Sequence, residues 1–210
     1  MISCVQNAGT SDDKLFYLLL GAGISFVSSF FVSWLIFYLN KLKEEERKKT
    51  ETKEKLRNEI FAACDRLLRY SILTEHYALQ YSLYDKLKKF GQSYAEITEF
   101  EQLSWKYGEL AEESGSKHNL CKTDLIRTVY DLFIYWKEKS EVLIPLIDEA
   151  KKYGLRNFGD SFKNINTKDE TIAEFQLISK SLEDVNVSQG IGVPLIKIQK
   201  EIAPEGMQVE

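Results

Sequence analysis

The sequence predicts an all-α protein with a single N-terminal transmembrane helix, a charged helical stalk and a cytosolic bundle of four or more helices. An apolar run without any charge occupies residues 15–39, and a nearly continuous series of charged residues follows it. In the remainder, apolar residues recur three and four positions apart, which is the helical period. Only 3 prolines and 11 glycines interrupt the 210 residues. We therefore divide the chain into a short extracytoplasmic tail (1–14), a transmembrane helix (15–39), a stalk (40–55) and a bundle (56–210).

The apolar run reads LFYLLLGAGISFVSSFFVSWLIFYL. At about 1.5 Å of rise per residue, a helix of about 25 residues exceeds the ~30 Å hydrocarbon core of a bilayer and spans it with some tilt. A cleavable signal peptide is the competing interpretation, but it calls for basic residues ahead of a shorter apolar core. Here the residues before the run are NAGTSDDK, which include two aspartates and one lysine. The run ends with the aromatic residues Trp34, Phe37 and Tyr38, which are typical of a membrane interface. We predict a retained membrane helix, with the lipid bilayer as a partner.

The charges beside the run predict its orientation. Lys14 is the one basic residue before it, whereas Lys41, Lys43, Arg47, Lys48 and Lys49 come soon after it. The excess of positive charge on cytoplasmic flanks places the N-terminus outside and everything after Asn40 in the cytosol. In a bacterium this would be the inner membrane.

Small residues recur at every fourth position of the run, at Gly21, Ser25, Ser29 and Ser33. In lipid, helices associate through close backbone approach and interhelical hydrogen bonds, and small residues four apart permit both. We expect this small-residue ridge to be a helix-packing surface of a homo-oligomer. The alternatives are that the ridge faces lipid, its hydroxyls bonded to their own backbone, or that it lines a pore.

The bundle should contain several amphipathic helices joined by short connectors. We expect a first helix over about 56–90, a second over about 94–113 and a loop at 114–119. A third helix should run from 123 to about 143, with a kink or restart at Pro145 and an end at Gly154, and a connector should follow at 157–166. A Thr167–Glu170 capping box should begin the next helix, which a break at 188–194 separates from a short helix over 195–202.

Arg69 and His76 are two helical turns apart and project from one helix face, about 10 Å from each other. This R-x6-H arrangement resembles the HEPN ribonucleases, which pair such motifs across a dimer. An accessory membrane protein of RNA-targeting CRISPR systems is similar in architecture, with one membrane helix joined to a HEPN-like bundle. The resemblance implies that His76 would transfer a proton and Arg69 would stabilise phosphate charge. The residues alone also allow a structural role, in which Asp65 pairs with Arg69 and His76 is partly buried.

Other chemistry has little support in the sequence. His118 and Cys121 form an isolated H-x-x-C, whereas zinc needs three or four ligands, so we expect no metal site and no cofactor. The net charge of -4 does not indicate the basic surface that DNA binding requires, so we expect no DNA partner. The chain has three cysteines, an odd number, and no C-x-x-C or other paired spacing, so we expect no disulfide framework.

The predicted role is non-enzymatic: an oligomeric, membrane-tethered scaffold, sensor or effector that contacts an unidentified cytosolic protein or perturbs the membrane. The alternative from the HEPN resemblance is a membrane-tethered ribonuclease or its inactive derivative, with a role in anti-phage defence. A third possibility is a membrane effector gated by a small molecule, for which the sequence shows no ligand signature.

Overall fold

The computed structural model describes residues 11–188 and 190–204, and it describes side chains over 15–182 and 190–204. Every regular element in this part of the chain is helical, which confirms the predicted all-α class. The helices are α1 (Ser11–Leu87), α2 (Tyr94–Tyr135), α3 (Lys137–Lys152), α4 (Lys168–Ser188) and α5 (Gly192–Ile202), with a 3-10 turn at Lys88–Phe90. By internal contacts the chain forms two compact units, unit 1 (Met1–Glu51) and unit 2 (Thr52–Glu210).

Unit 1 is a helical segment without a core of its own. All described side chains over 15–42 are exposed, including the whole apolar run. Beyond the run, charged residues one turn apart support the helix: Arg47 Nη2 lies 2.8 Å from Glu44 Oε1, and Arg47 Nη1 lies 3.1 Å from Glu51 Oε1. Such exposed pairs stabilise a helix only weakly, because water screens them.

Unit 2 contains two separate clusters of buried apolar side chains. The larger cluster joins α1, α2, α3 and α5. Its largest buried members are Ile60, Leu67, Leu125, Val129, Leu132, Leu143, Leu195, Ile198 and Ile202. The smaller cluster comprises Leu79 on α1, Phe158 and Phe162 on the connector between α3 and α4, and Leu182 on α4. The connector is therefore held against α1 and α4 by its two buried phenylalanines.

Within unit 2, α1 and α2 run antiparallel and in close contact. Tyr84 stacks on Tyr107 with ring centroids 5.5 Å apart and an interplanar angle of 6°. A Cβ added at Gly108 would lie 3.3 Å from the Tyr81 ring, and one at Gly115 would lie 3.5 Å from Cγ2 of Thr74. The two glycines thus mark where the backbone of α2 lies close to side chains of α1.

The loop expected at 114–119 is wrong, because α2 continues through it without a break. Ser114 is buried and its hydroxyl donates to Leu110 O at 2.7 Å, while Gly115 faces α1. Glycine and serine weaken an isolated helix, but here their small size permits the contact with α1, and tertiary packing overrides the local preference.

The restart expected at Pro145 is also misplaced, because Pro145 lies inside α3. The chain breaks instead at Trp136, with φ -151° and ψ 68°. The hydroxyl of the fully buried Ser140 donates to Val129 O at 3.0 Å, so α3 supplies a hydrogen bond to a carbonyl near the end of α2. No proline or glycine marks this break, and for that reason the sequence pattern missed it.

Two helix starts show capping hydrogen bonds. At the predicted capping box, Thr167 Oγ1 accepts from the backbone N–H of Glu170 at 3.2 Å, which confirms that α4 begins there. At the start of α2, Ser93 Oγ accepts from Glu96 N at 3.2 Å, and Glu96 Oε2 accepts from Gln92 N at 3.0 Å. These contacts satisfy N–H groups that have no partner within the helix.

Candidate functional site

The small-residue ridge lies on the exposed apolar part of α1. Gly21, Ser25, Ser29 and Ser33 are all exposed, and a Cβ added at Gly21 would meet no atom within 4 Å. The apolar run lies in a helix long and apolar enough to span a membrane, and none of its most apolar window is buried within this chain. This length and composition fit a membrane span, and they equally fit a signal sequence or the core helix of a soluble protein.

Arg69 and His76 are both solvent-exposed on α1. Asp65 accepts a hydrogen bond from Gln199 Nε2 at 2.7 Å, and the described part of the chain shows no ion pair between Asp65 and Arg69. His76 contacts Tyr77 edge-on, with ring centroids 6.0 Å apart. Exposure is required for a site shared between two subunits, and it is equally usual for surface side chains, so the ribonuclease hypothesis stays a prediction.

A layer of buried polar residues, which the sequence pattern does not reveal, separates the two apolar clusters of unit 2. The residues of this polar layer are Ser71, Thr74 and Glu75 on α1, and Ser114 and His118 on α2, all with 6% or less of their surface exposed. Local hydrogen bonds satisfy the hydroxyls of Thr74 and Ser114, which donate to Tyr70 O and Leu110 O one turn earlier. The charged and aromatic members require partners from elsewhere in the fold.

Glu75 finds its partner on the connector after α3. Its Oε2 lies 2.9 Å from Nη2 of Arg156, and its Oε1 accepts from the backbone N–H of Arg156 at 3.1 Å. The side chain of Glu75 is 4% exposed, whereas that of Arg156 is 34% exposed. The carboxylate therefore holds the connector against α1 by hydrogen bonds to both the backbone and the side chain of one residue.

His118 is buried beside the side chain of Asn119. In the described part of the structure, neither ring nitrogen has a hydrogen bond of good geometry. Burial lowers the pKa of His118, so the neutral imidazole is favoured. The Asn119 side chain and, more weakly, the Glu75 carboxylate oppose this shift in pKa, and the Lys122 ammonium adds to it.

The two cysteine thiols of unit 2, Cys64 and Cys121, lie in environments that favour the protonated form. Burial raises the pKa of Cys64 to about 12 and also raises that of Cys121, and both thiols are free. A thiol reacts or binds metal as the thiolate, so these environments suit structural residues. Over residues 11–188 and 190–204, no three His, Cys, Asp or Glu side chains are grouped to hold a metal ion.

No protein-family model, curated protein or solved structure matches this chain.

Proposed function

We propose that the chain is a single-pass, membrane-anchored protein that self-associates and acts through protein contacts as a scaffold, sensor or membrane effector. The observation that carries this proposal is the fully exposed apolar run 15–39. The run is part of α1, and the later residues of α1 belong to unit 2, which has its own apolar core. A protein of this kind brings copies of unit 2 together by pairing of its membrane helices.

The surface of unit 2 supports a role in protein contacts. Trp105, Tyr130 and Ile134 are 71%, 55% and 75% exposed. Tyr130 and Ile134 are about one helical turn apart on one face of α2, whereas Trp105 is about 37 Å away along the same helix. Neighbouring large apolar side chains on an exposed face are typical of interaction surfaces.

The interior of unit 2 supports the same view, because its buried ionisable groups have structural roles. Glu75 is bound by Arg156, and the raised pKa of Cys64 keeps its thiol protonated. His118 is buried with 4% of its surface exposed, away from any dissolved substrate.

The small-residue ridge gives the direct test of self-association. We expect Ser25→Ile together with Ser29→Ile to weaken the association of the full-length protein about tenfold, because branched side chains prevent close backbone approach and remove the hydroxyls. The added methyl groups favour insertion, so the protein should still reach the membrane. Subunit counting by single-molecule photobleaching in nanodiscs measures the change.

The matched control for this test is Val27→Ile with Phe31→Ile. These positions lie about 200° around the helix from Ser25 and Ser29, so association should match that of the parent. Equal association of the parent and the Ser25/Ser29 variant would mean that the ridge faces lipid, and self-association through it would be excluded.

Topology is tested separately. We expect a reporter fused after Glu210 to be active in the cytosol and one fused before Met1 to be active outside, because basic residues follow the apolar run. Moving the basic cluster, by replacing Lys41, Lys43 and Lys49 with Gln and adding lysines to the tail, should invert a fraction of the molecules. Cytosolic activity of the N-terminal reporter in the parent would contradict the proposed orientation.

A further inference from the structure

A polar cleft of about 220 Å³ lies between the end of α1 and the connector that precedes α4. Tyr81, Ser82, Lys86 and Lys89 line it from the α1 side, and Phe162 and Lys163 line it from the connector. Phe162 is 2% exposed and belongs to the smaller apolar cluster, together with Leu79 of α1. The connector side of the cleft is therefore fixed to α1 by a packed side chain.

The charge of the cleft is strongly one-sided. Three lysines line it against one acidic residue, Asp85, and Lys88 Nζ lies 2.6 Å from the Asp85 carboxylate. The ammonium of Lys86 donates to Lys163 O at 3.4 Å, which keeps it beside the cleft. In the described part of the chain, no carboxylate lies within ion-pair distance of the ammonium groups of Lys86, Lys89 or Lys163. This is notable in a protein whose net charge is -4.

The helix dipole explains only part of this arrangement. Lysines are favourable in the last turn of a helix, which accounts for Lys86 and Lys89. Lys163 belongs to another element, and the fold brings it to the same cleft. Three lysines on two elements, against one carboxylate that is already paired with Lys88, create a local positive potential that attracts anions.

We propose that this cleft binds a compact phosphate-bearing anion. Lysine binds phosphate oxygens as a point charge with three donors. Tyr81 and Ser82 also line the cleft, and the Ser82 hydroxyl donates to Ala78 O at 2.9 Å. The volume is below the roughly 300–1,000 Å³ of pockets that enclose drug-sized ligands, so the ligand is small or enters only by its phosphate end. A soluble phosphate compound and a lipid headgroup share this chemistry, and they are distinguished by experiment.

The test measures hydrogen exchange of the full-length protein in phosphatidylcholine nanodiscs, with pyrophosphate as the soluble probe. We expect saturable protection of peptides that cover 81–90 and 158–165. In the variant Lys89→Gln with Lys163→Gln, the pyrophosphate concentration for half-protection should rise at least tenfold, since each lost charged hydrogen bond weakens binding by about that factor. The control, Lys152→Gln with Lys180→Gln, removes the same charge from positions that do not line the cleft and should match the parent.

A second arm replaces pyrophosphate with nanodiscs that contain phosphatidic acid. Protection of the same peptides in these discs without pyrophosphate, lost in the cleft variant, would assign the phosphate to a lipid headgroup. Protection only by pyrophosphate would assign it to a soluble compound. If neither probe protects these peptides, or if the control variant weakens protection as much as the cleft variant does, the proposed site is wrong.

Discussion

Glu75→Ala is expected to destabilise unit 2 by about 3 kcal/mol. Removing one partner of a buried ion pair costs roughly 3–5 kcal/mol because the other charge is left without compensation. The lower end applies here because the side chain of Arg156 is 34% exposed, so water can partly replace the carboxylate. The backbone N–H of Arg156 also loses its acceptor. Urea unfolding of the full-length protein in mild detergent, followed by circular dichroism, measures the change in unfolding free energy.

The control for this prediction is Glu113→Ala. It removes an ion pair within one helix, with Lys117 Nζ 2.6 Å from Glu113 Oε1, and 63% of the Glu113 side chain is exposed. Its expected cost is much smaller than that of Glu75→Ala, because water screens an exposed pair. Similar small losses from both substitutions would show that Glu75 is not buried against Arg156.

His118→Leu is expected to stabilise unit 2 by about 1–2 kcal/mol at neutral pH. A buried polar group without a hydrogen bond costs roughly 1–3 kcal/mol, and leucine of similar volume removes this cost. The larger apolar cluster is adjacent along α2, since Cys121 and Leu125 belong to it. A rise in the urea midpoint with an unchanged dependence on urea concentration would show this effect.

The same substitution should also reduce the sensitivity of the protein to acid. The pKa of His118 is lowered in the folded state, so the unfolded state binds a proton first as the pH falls through about 6.5. Stability is therefore fully present above that pH and decreases below it, until the folded state is also protonated. We expect the parent to lose more stability than His118→Leu between pH 7.5 and 5.5. The control His76→Gln, at an exposed position, should retain the parental loss; an equal loss in His118→Leu would contradict the assignment.

The sequence predicted the features that depend on local pattern. The apolar run, the capping residue Thr167 and the end of α1 near Gly91 all follow from composition and spacing over a few turns. The continuity of α2 could not be predicted from the sequence, because serine and glycine at 114 and 115 are typical of a loop. In the fold, Gly115 lies beside the side chain of Thr74, and this contact favours a continuous helix. What decided the outcome was a contact between residues about forty positions apart.

Less of the candidate sites was predictable. The small-residue ridge is visible as a spacing, whereas the polar layer is not, because Glu75 looks like any solvent-facing helix residue. Its partner Arg156 is 81 positions away. The cleft likewise depends on Lys163, which the connector brings beside Lys86 only after Phe162 is buried. Long-range pairing of this kind leaves no periodic trace in a single sequence.

The polar layer also has a consequence for how unit 2 loses its structure. The smaller apolar cluster is built on four buried residues, and beyond it the connector and α4 contact the helices through the Glu75–Arg156 pair, an exposed ion pair between Lys168 and Glu96, and contacts with α5. The larger cluster includes none of the connector's buried phenylalanines, so we expect the connector and α4 to open at lower free energy than the helices around the larger cluster. Opening of this segment would also remove one wall of the cleft.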